Sequence, residues 1–139
     1  MTTITTDIQW NSGLAFKATA DGHEIMLDAA EDVGGENQGP RPKPLLLVSL
    51  GGCTAMDVIS ILKKMRLEPD YFNVNVIGEV TEEHPKHFTK IHTVYEFRGK
   101  DLPPDKLQKA IDLSQERYCG ISHTLKKAVE LTSEIKILD

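Results

Sequence analysis

The sequence predicts an α+β fold with antiparallel sheet, in a single domain over residues 1–139. Three observations lead to this prediction. Apolar residues recur with a period of two before and after a long apolar helical stretch, and two shorter stretches with helical spacing follow. The predicted order is therefore two strands, a long helix, two strands, two helices and a final strand.

The first elements are two strands joined by a tight turn. Residues 14–20 alternate between apolar and polar or small side chains, which is typical of a half-buried strand. Asp21-Gly22 predicts a hairpin turn because glycine accepts positive φ, and the return strand runs over residues 23–28. Trp10 closes a short strand before them. Residues 29–41 are glycine-rich and acidic and are predicted to form a mobile surface loop.

A long helix is predicted from Pro42 to Met65. Pro42 and Pro44 fit its first turn, where a backbone N–H has no partner within the helix. The segment Leu45–Leu50 is apolar nearly all round, which predicts burial on every side, against sheets or a second subunit. Gly51-Gly52 would weaken a helix by roughly 1 kcal/mol each, so their presence indicates close approach of another backbone or a ligand.

The second half of the chain completes the predicted order. Alternating apolar residues predict strands within residues 72–80 and 91–97. Apolar stripes at helical spacing predict helices over residues 103–118 and 121–131. A strand over residues 134–138 ends the fold.

Composition limits the classes of function. A net charge of −5 argues against nucleic-acid binding, which needs a basic face. The long apolar stretch contains Ser49, Thr54, Asp57 and Ser60, so we do not expect a membrane span. Met1–Asp7 has neither the basic nor the apolar part of a signal peptide, and we expect a cytoplasmic protein with reduced thiols.

The chain has only two cysteines, Cys53 in the long helix and Cys119 before a later one. A free cysteine is most often an inert buried side chain. Gly51-Gly52, however, leaves space beside Cys53, and N–H groups at a helix start would stabilise a Cys119 thiolate. Asp57 lies one turn after Cys53. It would raise the thiol pKa if it faced the sulfur, and the favoured interpretation is that it faces another helix or caps a polar network.

Histidines offer a second kind of site. His84, His87 and His92 cluster around a predicted hairpin, and Cys119 and His123 have i, i+4 spacing. These side chains could together bind a zinc ion, or His123 could act as a general base for Cys119. Because no zinc-binding motif accompanies them, we favour solvated histidines and predict no metal site.

The segments Gly51–Leu62 and Leu113–Cys119 resemble the OsmC-like family, which includes the organic hydroperoxide resistance proteins, and are most similar to its YhfA-like branch. The resemblance implies an intertwined homodimer, with antiparallel sheets wrapped around two long central helices. It implies that Cys53 is the peroxidatic thiol and that Cys119 resolves it as a disulfide. A hydroperoxide and a dithiol reductant would be the reaction partners, and no cofactor is implied.

One departure from the family pattern concerns the cation at the site. In the peroxidase branches an arginine from an N-terminal loop polarises the peroxide and is held by a glutamate in the first turn of the long helix. That glutamate falls at Pro44 here, and no arginine precedes Arg41. Arg41 is therefore the candidate cation, with a solvated loop charge as the alternative. We expect a weak peroxidase; the alternative is a small-molecule-binding or redox-sensing dimer without an enzymatic role.

Overall fold

The computed structural model describes residues 1–139, which form two compact units, residues 1–46 and residues 47–139. Helix and strand are mixed, as the α+β prediction requires. The prediction of one domain over the whole chain stays a prediction.

The first unit contains a three-stranded antiparallel sheet. Its strands are β1 (Asp7–Ser12), β2 (Ala15–Ala20) and β3 (His23–Leu27), in that order across the sheet. The predicted hairpin is confirmed: Asp21 and Gly22 have φ angles of 50° and 77°. Two successive left-handed residues give the type of turn whose twist matches that of the flanking strands.

The loop predicted to be mobile is instead organised around one carboxylate. It contains a 3₁₀ turn, Glu31–Val33, and it follows Asp28, which is only 4% exposed. The Asp28 carboxylate accepts three backbone N–H groups of the loop, from Ala29 at 2.7 Å and from Glu36 and Gln38 at 3.1 Å each. Composition alone predicts a loop here, but not the buried acceptor that folds it.

The long helix α1 spans Pro42–Lys64, as predicted to within one residue. Leu50, Val58 and Leu62 are buried along one face. A Cβ atom at Gly51 would lie 2.9 Å from Cγ2 of Val76, so this glycine lets a strand of the second unit approach the helix closely. The close neighbour at Gly51 is a side chain of the sheet and not the backbone or ligand that was predicted, and at Gly52 a Cβ atom would meet nothing within 4 Å.

The opposite face of α1 is exposed in the single chain, so the predicted burial on every side is wrong for one chain alone. Val48 is 64% exposed and Met56 is 73% exposed, and Ile59 is also exposed. By length and composition α1 could cross a membrane, but the core helix of a soluble protein passes the same test. Its buried face packs in a protein core, as described below.

The second unit contains a mixed sheet of β4 (Tyr71–Val80), β5 (Phe88–Arg98) and β6 (Glu130–Ile137). β4 and β5 pair antiparallel, as predicted, but β5 and β6 pair parallel. The fully antiparallel prediction is wrong for this last strand, because the helices between β5 and β6 form a crossover connection. β6 also begins earlier than predicted, at Glu130.

Two helices form that crossover. α2 spans Pro104–Leu113 and continues into a π-helical turn, Ser114–Tyr118. α3 spans Gly120–Leu125 and is shorter than predicted. The main core lies between α1, α2 and the mixed sheet, and its buried residues are Val58, Leu62, Tyr95, Phe97, Leu107, Ala110 and Ile111.

Candidate functional site

The two cysteines lie side by side in the second unit. The Sγ atoms of Cys53 and Cys119 and a carboxylate oxygen of Asp57 all lie within 4.8 Å of one another. Both thiols are free; Cys119 is buried and Cys53 is half-buried. We call these three residues the thiol–carboxylate cluster.

Local backbone geometry explains the cluster. Cys53 and Asp57 are four residues apart on α1 and so share one face of it. Cys119 is placed by the π-helical turn, in which the Cys119 N–H donates to the carbonyl oxygen of Ser114 at 2.7 Å. Such turns are rare and occur frequently at functional sites.

The first turn of α3 directs two consecutive backbone N–H groups at the sulfurs. The Ser122 N–H donates to the Sγ of Cys119 at 3.3 Å, which makes Cys119 the N-cap of α3. The Ile121 N–H lies beside the Cys53 sulfur and lowers the pKa of that thiol, because an N–H dipole favours the thiolate over the thiol.

Other influences on Cys53 oppose the thiolate and are larger. Burial raises the pKa of the Cys53 thiol, and a hydrogen bond to Cys119 raises it further. The Ile121 N–H lowers the pKa, while the charges of Cys119 and Asp57 add smaller increases. The net effect is a pKa above the ordinary value, so Cys53 is mainly a protonated thiol at neutral pH.

Apolar side chains surround the thiols. Cys119 packs in a small core with Leu50 and Ile91, and Cys53 lies at the edge of that core. Beside Asp57 the surface opens into a cleft of about 400 Å³, which is lined by Asp57, Ser60, Ile61, Lys64, Leu113 and Tyr118.

A buried chain of hydrogen bonds ends at Asp57. The Ser114 hydroxyl donates to Oδ2 of Asp57 at 2.9 Å. Since that uses the only proton of Ser114, the Thr54 hydroxyl donates to Ser114 Oγ at 2.8 Å, and the Tyr95 hydroxyl donates to Thr54 Oγ1 at 2.7 Å. Gln115 Nε2 donates to the Tyr95 oxygen at 3.0 Å. Every donor in the chain therefore points toward the carboxylate.

Asp57 thus meets both descriptions given to it from the sequence: it faces the Cys53 sulfur, and it ends a polar network. The network itself was not predicted from the sequence. Thr54, Tyr95 and Ser114 come from α1, β5 and the π-helical turn, and no local pattern links them. A cavity of about 260 Å³ adjoins Thr54 and Tyr95.

Arg41 makes its contacts within the first unit. Its Nη1 donates to Oδ1 of Asn37 at 2.6 Å and to the Gly39 carbonyl oxygen at 3.2 Å. The pKa of Asp28 lies below its ordinary value: burial raises it, but backbone N–H groups and the Arg41 charge lower it more. These contacts hold the loop arginine in place, and its catalytic role stays a prediction.

The histidines form no group of three or more metal-binding side chains. His87 Nδ1 lies 2.6 Å from the Pro85 carbonyl oxygen, and His92 Nδ1 lies 2.7 Å from Thr132 Oγ1. His123 is exposed on α3. The group that does form is the thiol–carboxylate cluster, which was not predicted as a metal site.

Comparisons with known proteins agree with this fold. The sequence profile of the OsmC-like protein family matches residues 35–134. The chain is 35% identical to protein YhfA of Escherichia coli K12 over 132 residues, which cover 94% of this chain and 96% of YhfA. A hypothetical protein from Aquifex aeolicus VF5 is 31% identical, with a TM-score of 0.84 and 100% of both chains covered. The organic hydroperoxide resistance protein OhrB of Bacillus subtilis shares the fold, with a TM-score of 0.67 at 18% identity over 97% of this chain and 98% of its own.

Proposed function

This chain belongs to the OsmC-like family, and from that premise we propose that it is a thiol-dependent reductase of organic hydroperoxides. One observation carries the proposal: the Cys53 and Cys119 sulfurs lie within 4.8 Å of one another, with both thiols reduced. Membership of a family that includes organic hydroperoxide resistance proteins supports a redox or peroxide-resistance role. We propose a cytoplasmic location, with α1 as a core helix of a soluble protein.

The proposed reaction has three steps. The Cys53 thiolate attacks one oxygen of the hydroperoxide, the O–O bond breaks, and the alkoxide takes up a proton to leave as an alcohol. Cys53 is then a sulfenic acid. The Cys119 thiolate attacks that sulfur, an S–S bond forms, and hydroxide leaves as water after taking up a proton. An external dithiol reduces the disulfide and becomes a disulfide itself.

The residues around the thiols support a slow reaction. The Ile121 N–H lowers the pKa of the Cys53 thiol and so favours its reactive thiolate. Against this, the raised pKa of Cys53 keeps most of the thiol protonated. Pro44 also supplies no carboxylate to hold a cation at the site. Loss of one positioned charge or donor typically costs ~100-fold or more in rate.

The surroundings favour an organic substrate over hydrogen peroxide. Leu50, Ile91 and other apolar side chains pack around the thiols, and an apolar wall binds an alkyl chain better than it binds a small polar peroxide.

We also propose that the protein is a homodimer. In a single chain the apolar residues Val48 and Met56 of α1 are more than half exposed. Apolar surface of this kind on a soluble protein marks an interaction surface. A second copy of the chain would cover it, and the family consists typically of dimers.

A binding or redox-sensing protein is the second candidate. The cavity of about 260 Å³ beside Thr54 and Tyr95 favours it, because that space is lined partly by polar groups and could hold a small molecule. Turnover separates the two candidates, since a sensor would be oxidised once and would not consume excess peroxide.

The experiment compares wild type with Cys53→Ser and Cys119→Ser in reduction of an alkyl hydroperoxide, with a dithiol as reductant. Wild type should turn over slowly and Cys53→Ser not at all. Cys119→Ser should fall in rate and leave a sulfenic acid on Cys53 that a dimedone probe labels. If wild type and Cys53→Ser consume peroxide at the same background rate, the peroxidase proposal is wrong.

Arg41→Ala in the same assay tests the loop arginine. A rate well below that of wild type supports a catalytic role for Arg41. An unchanged rate would mean that Arg41 serves only to hold the loop around Asp28.

A further inference from the structure

The thiol–carboxylate cluster contains a carboxylate that the proposed redox reaction does not use. We propose that the reduced protein binds one thiophilic divalent metal ion, with Zn²⁺ as the reference ion, through the sulfurs of Cys53 and Cys119 and a carboxylate oxygen of Asp57. Two thiolates and one carboxylate form a ligand set that zinc accepts, and three protein ligands leave a fourth position for water.

The distances suit one ion. With Zn–S bonds of ~2.3 Å, two sulfurs on a tetrahedral ion lie about 3.8 Å apart. The three ligand atoms here lie within 4.8 Å of one another, so side-chain rotation over about 1 Å would close the site. The ligands come from two rigid places, one face of α1 and the N-cap of α3.

The charge of Asp57 also fits a cation better than it fits the redox reaction. A carboxylate oxygen of Asp57 lies within 4.8 Å of both sulfurs, and a negative charge in that position disfavours a thiolate. A divalent cation reverses the effect of Asp57 on the thiolates, because two thiolates and a carboxylate together attract the cation strongly. Metal binding therefore gives a reason for an acidic side chain that the peroxidase proposal leaves unexplained.

Groups that would orient the ligands are already in place. The Ser114 hydroxyl donates to one oxygen of Asp57 at 2.9 Å, and the Ser122 N–H donates to the Cys119 sulfur at 3.3 Å. Hydrogen bonds of this kind fix metal ligands in position. The cleft beside Asp57 gives an ion a path from solvent.

Metal binding and peroxide reduction exclude each other at one moment, because a disulfide offers no thiolate to the ion. The metal proposal does not rest on the peroxidase proposal. If the protein binds zinc but does not turn over peroxide, only the peroxidase proposal fails. If it turns over peroxide but does not bind zinc, only the metal proposal fails.

The test titrates reduced, metal-free protein with Zn²⁺ alone against a chromophoric chelator, in the absence of oxygen. We expect one ion per chain and release of about two thiol protons per ion near neutral pH. Co²⁺ should give thiolate-to-metal charge-transfer absorption. Diamide-oxidised protein should bind no ion. Absence of binding by the reduced wild type, or binding without proton release, would overturn the proposal.

Asp57→Asn tests the third ligand, because asparagine can still accept the Ser114 hydrogen bond but carries no charge. Outer-shell partners alone are worth ~10–100-fold in metal affinity, so loss of a ligand should weaken Zn²⁺ binding by at least ~10-fold. Asp101→Asn is the matched control, since Asp101 is exposed and asparagine tolerates its φ of 54°. Equal Zn²⁺ affinity of wild type and Asp57→Asn would remove Asp57 from the site.

Discussion

Thr54→Val tests the buried hydrogen-bond chain that ends at Asp57. Thr54 is 1% exposed, and its hydroxyl accepts from Tyr95 at 2.7 Å and donates to Ser114 at 2.8 Å. Valine has almost the same shape as threonine, so the change removes the hydroxyl without opening a cavity. The effect on stability therefore reports mainly the loss of the hydrogen bonds.

The expected cost follows from what each partner loses. The Tyr95 hydroxyl keeps the hydrogen bond it accepts from Gln115 but has no acceptor for its own proton. A buried donor without a partner costs ~1–3 kcal/mol. Ser114 keeps its donation to Asp57 and loses one incoming hydrogen bond, worth ~1 kcal/mol. We expect Thr54→Val to lower the free energy of unfolding by about 2–4 kcal/mol.

The assay is urea unfolding of reduced protein at a fixed protein concentration, because stability of a dimer depends on concentration. Thr124→Val is the control: Thr124 is exposed on α3, and its replacement should change the free energy of unfolding by less than ~0.5 kcal/mol. Tyr95→Phe removes the hydroxyl that Thr54→Val leaves unpaired. The double variant should therefore cost less than the sum of the single variants, by ~1 kcal/mol or more.

Two results would refute this reasoning. One is a Thr54→Val variant within ~0.5 kcal/mol of wild type, which would mean that solvent or another group satisfies the Tyr95 hydroxyl. The other is strict additivity with Tyr95→Phe, which would mean that the two hydroxyls do not interact.

Two further predictions concern the thiol and the exposed face of α1. Because burial and Cys119 raise the pKa of Cys53, its alkylation by iodoacetamide should reach half its maximal rate above pH ~8.5, the ordinary value, and a midpoint at or below that pH would contradict the shift. The unfolded chain loses this proton first, so the contribution of Cys53 to stability is complete below pH ~8.5 and declines as pH rises toward the folded pKa. Met56→Glu places a charge on a side chain that is 73% exposed in one chain and should convert the proposed homodimer into a folded monomer by light scattering. A monomeric wild type at micromolar concentration, or a variant that stays dimeric, would oppose the proposed interface.

Local signals predicted the parts of the fold that local chemistry decides. Asp21-Gly22 strongly favours a turn with left-handed residues. Pro42 marks the start of α1, and the long apolar stretch after it predicts that the helix continues. The parallel pairing of β6 depends on how the α2–α3 crossover returns to the sheet, which no short segment encodes. The π-helical turn Ser114–Tyr118 could not be predicted either, because one extra residue in a helical turn hardly changes the spacing of apolar residues.

Some residues of the candidate site could be predicted from the sequence and others could not. The choice of Cys53 and Cys119 rested on a family resemblance together with Gly51-Gly52 beside one thiol and a predicted helix start beside the other, since a free cysteine is most often inert. Asp57 was visible from the sequence because its distance from Cys53 is one helical turn. Thr54 and Ser114 had no such signal, since a hydroxyl in a helix is ambiguous until its partner from another element is known.

The position of Asp57 links the properties proposed for this site. Its carboxylate is held by a hydrogen bond from Ser114, at the end of a chain in which every donor points toward it. A negative charge fixed this firmly cannot turn away from the sulfurs, so it opposes the Cys53 thiolate as long as no cation is present. The same fixed charge favours binding of a metal ion, because a ligand that is already oriented loses little conformational entropy when the ion binds. Neutralising Asp57 should therefore act in opposite directions on the two chemistries, slightly easing ionisation of Cys53 while weakening metal binding, whereas a carboxylate with no role in metal binding would leave the metal affinity unchanged.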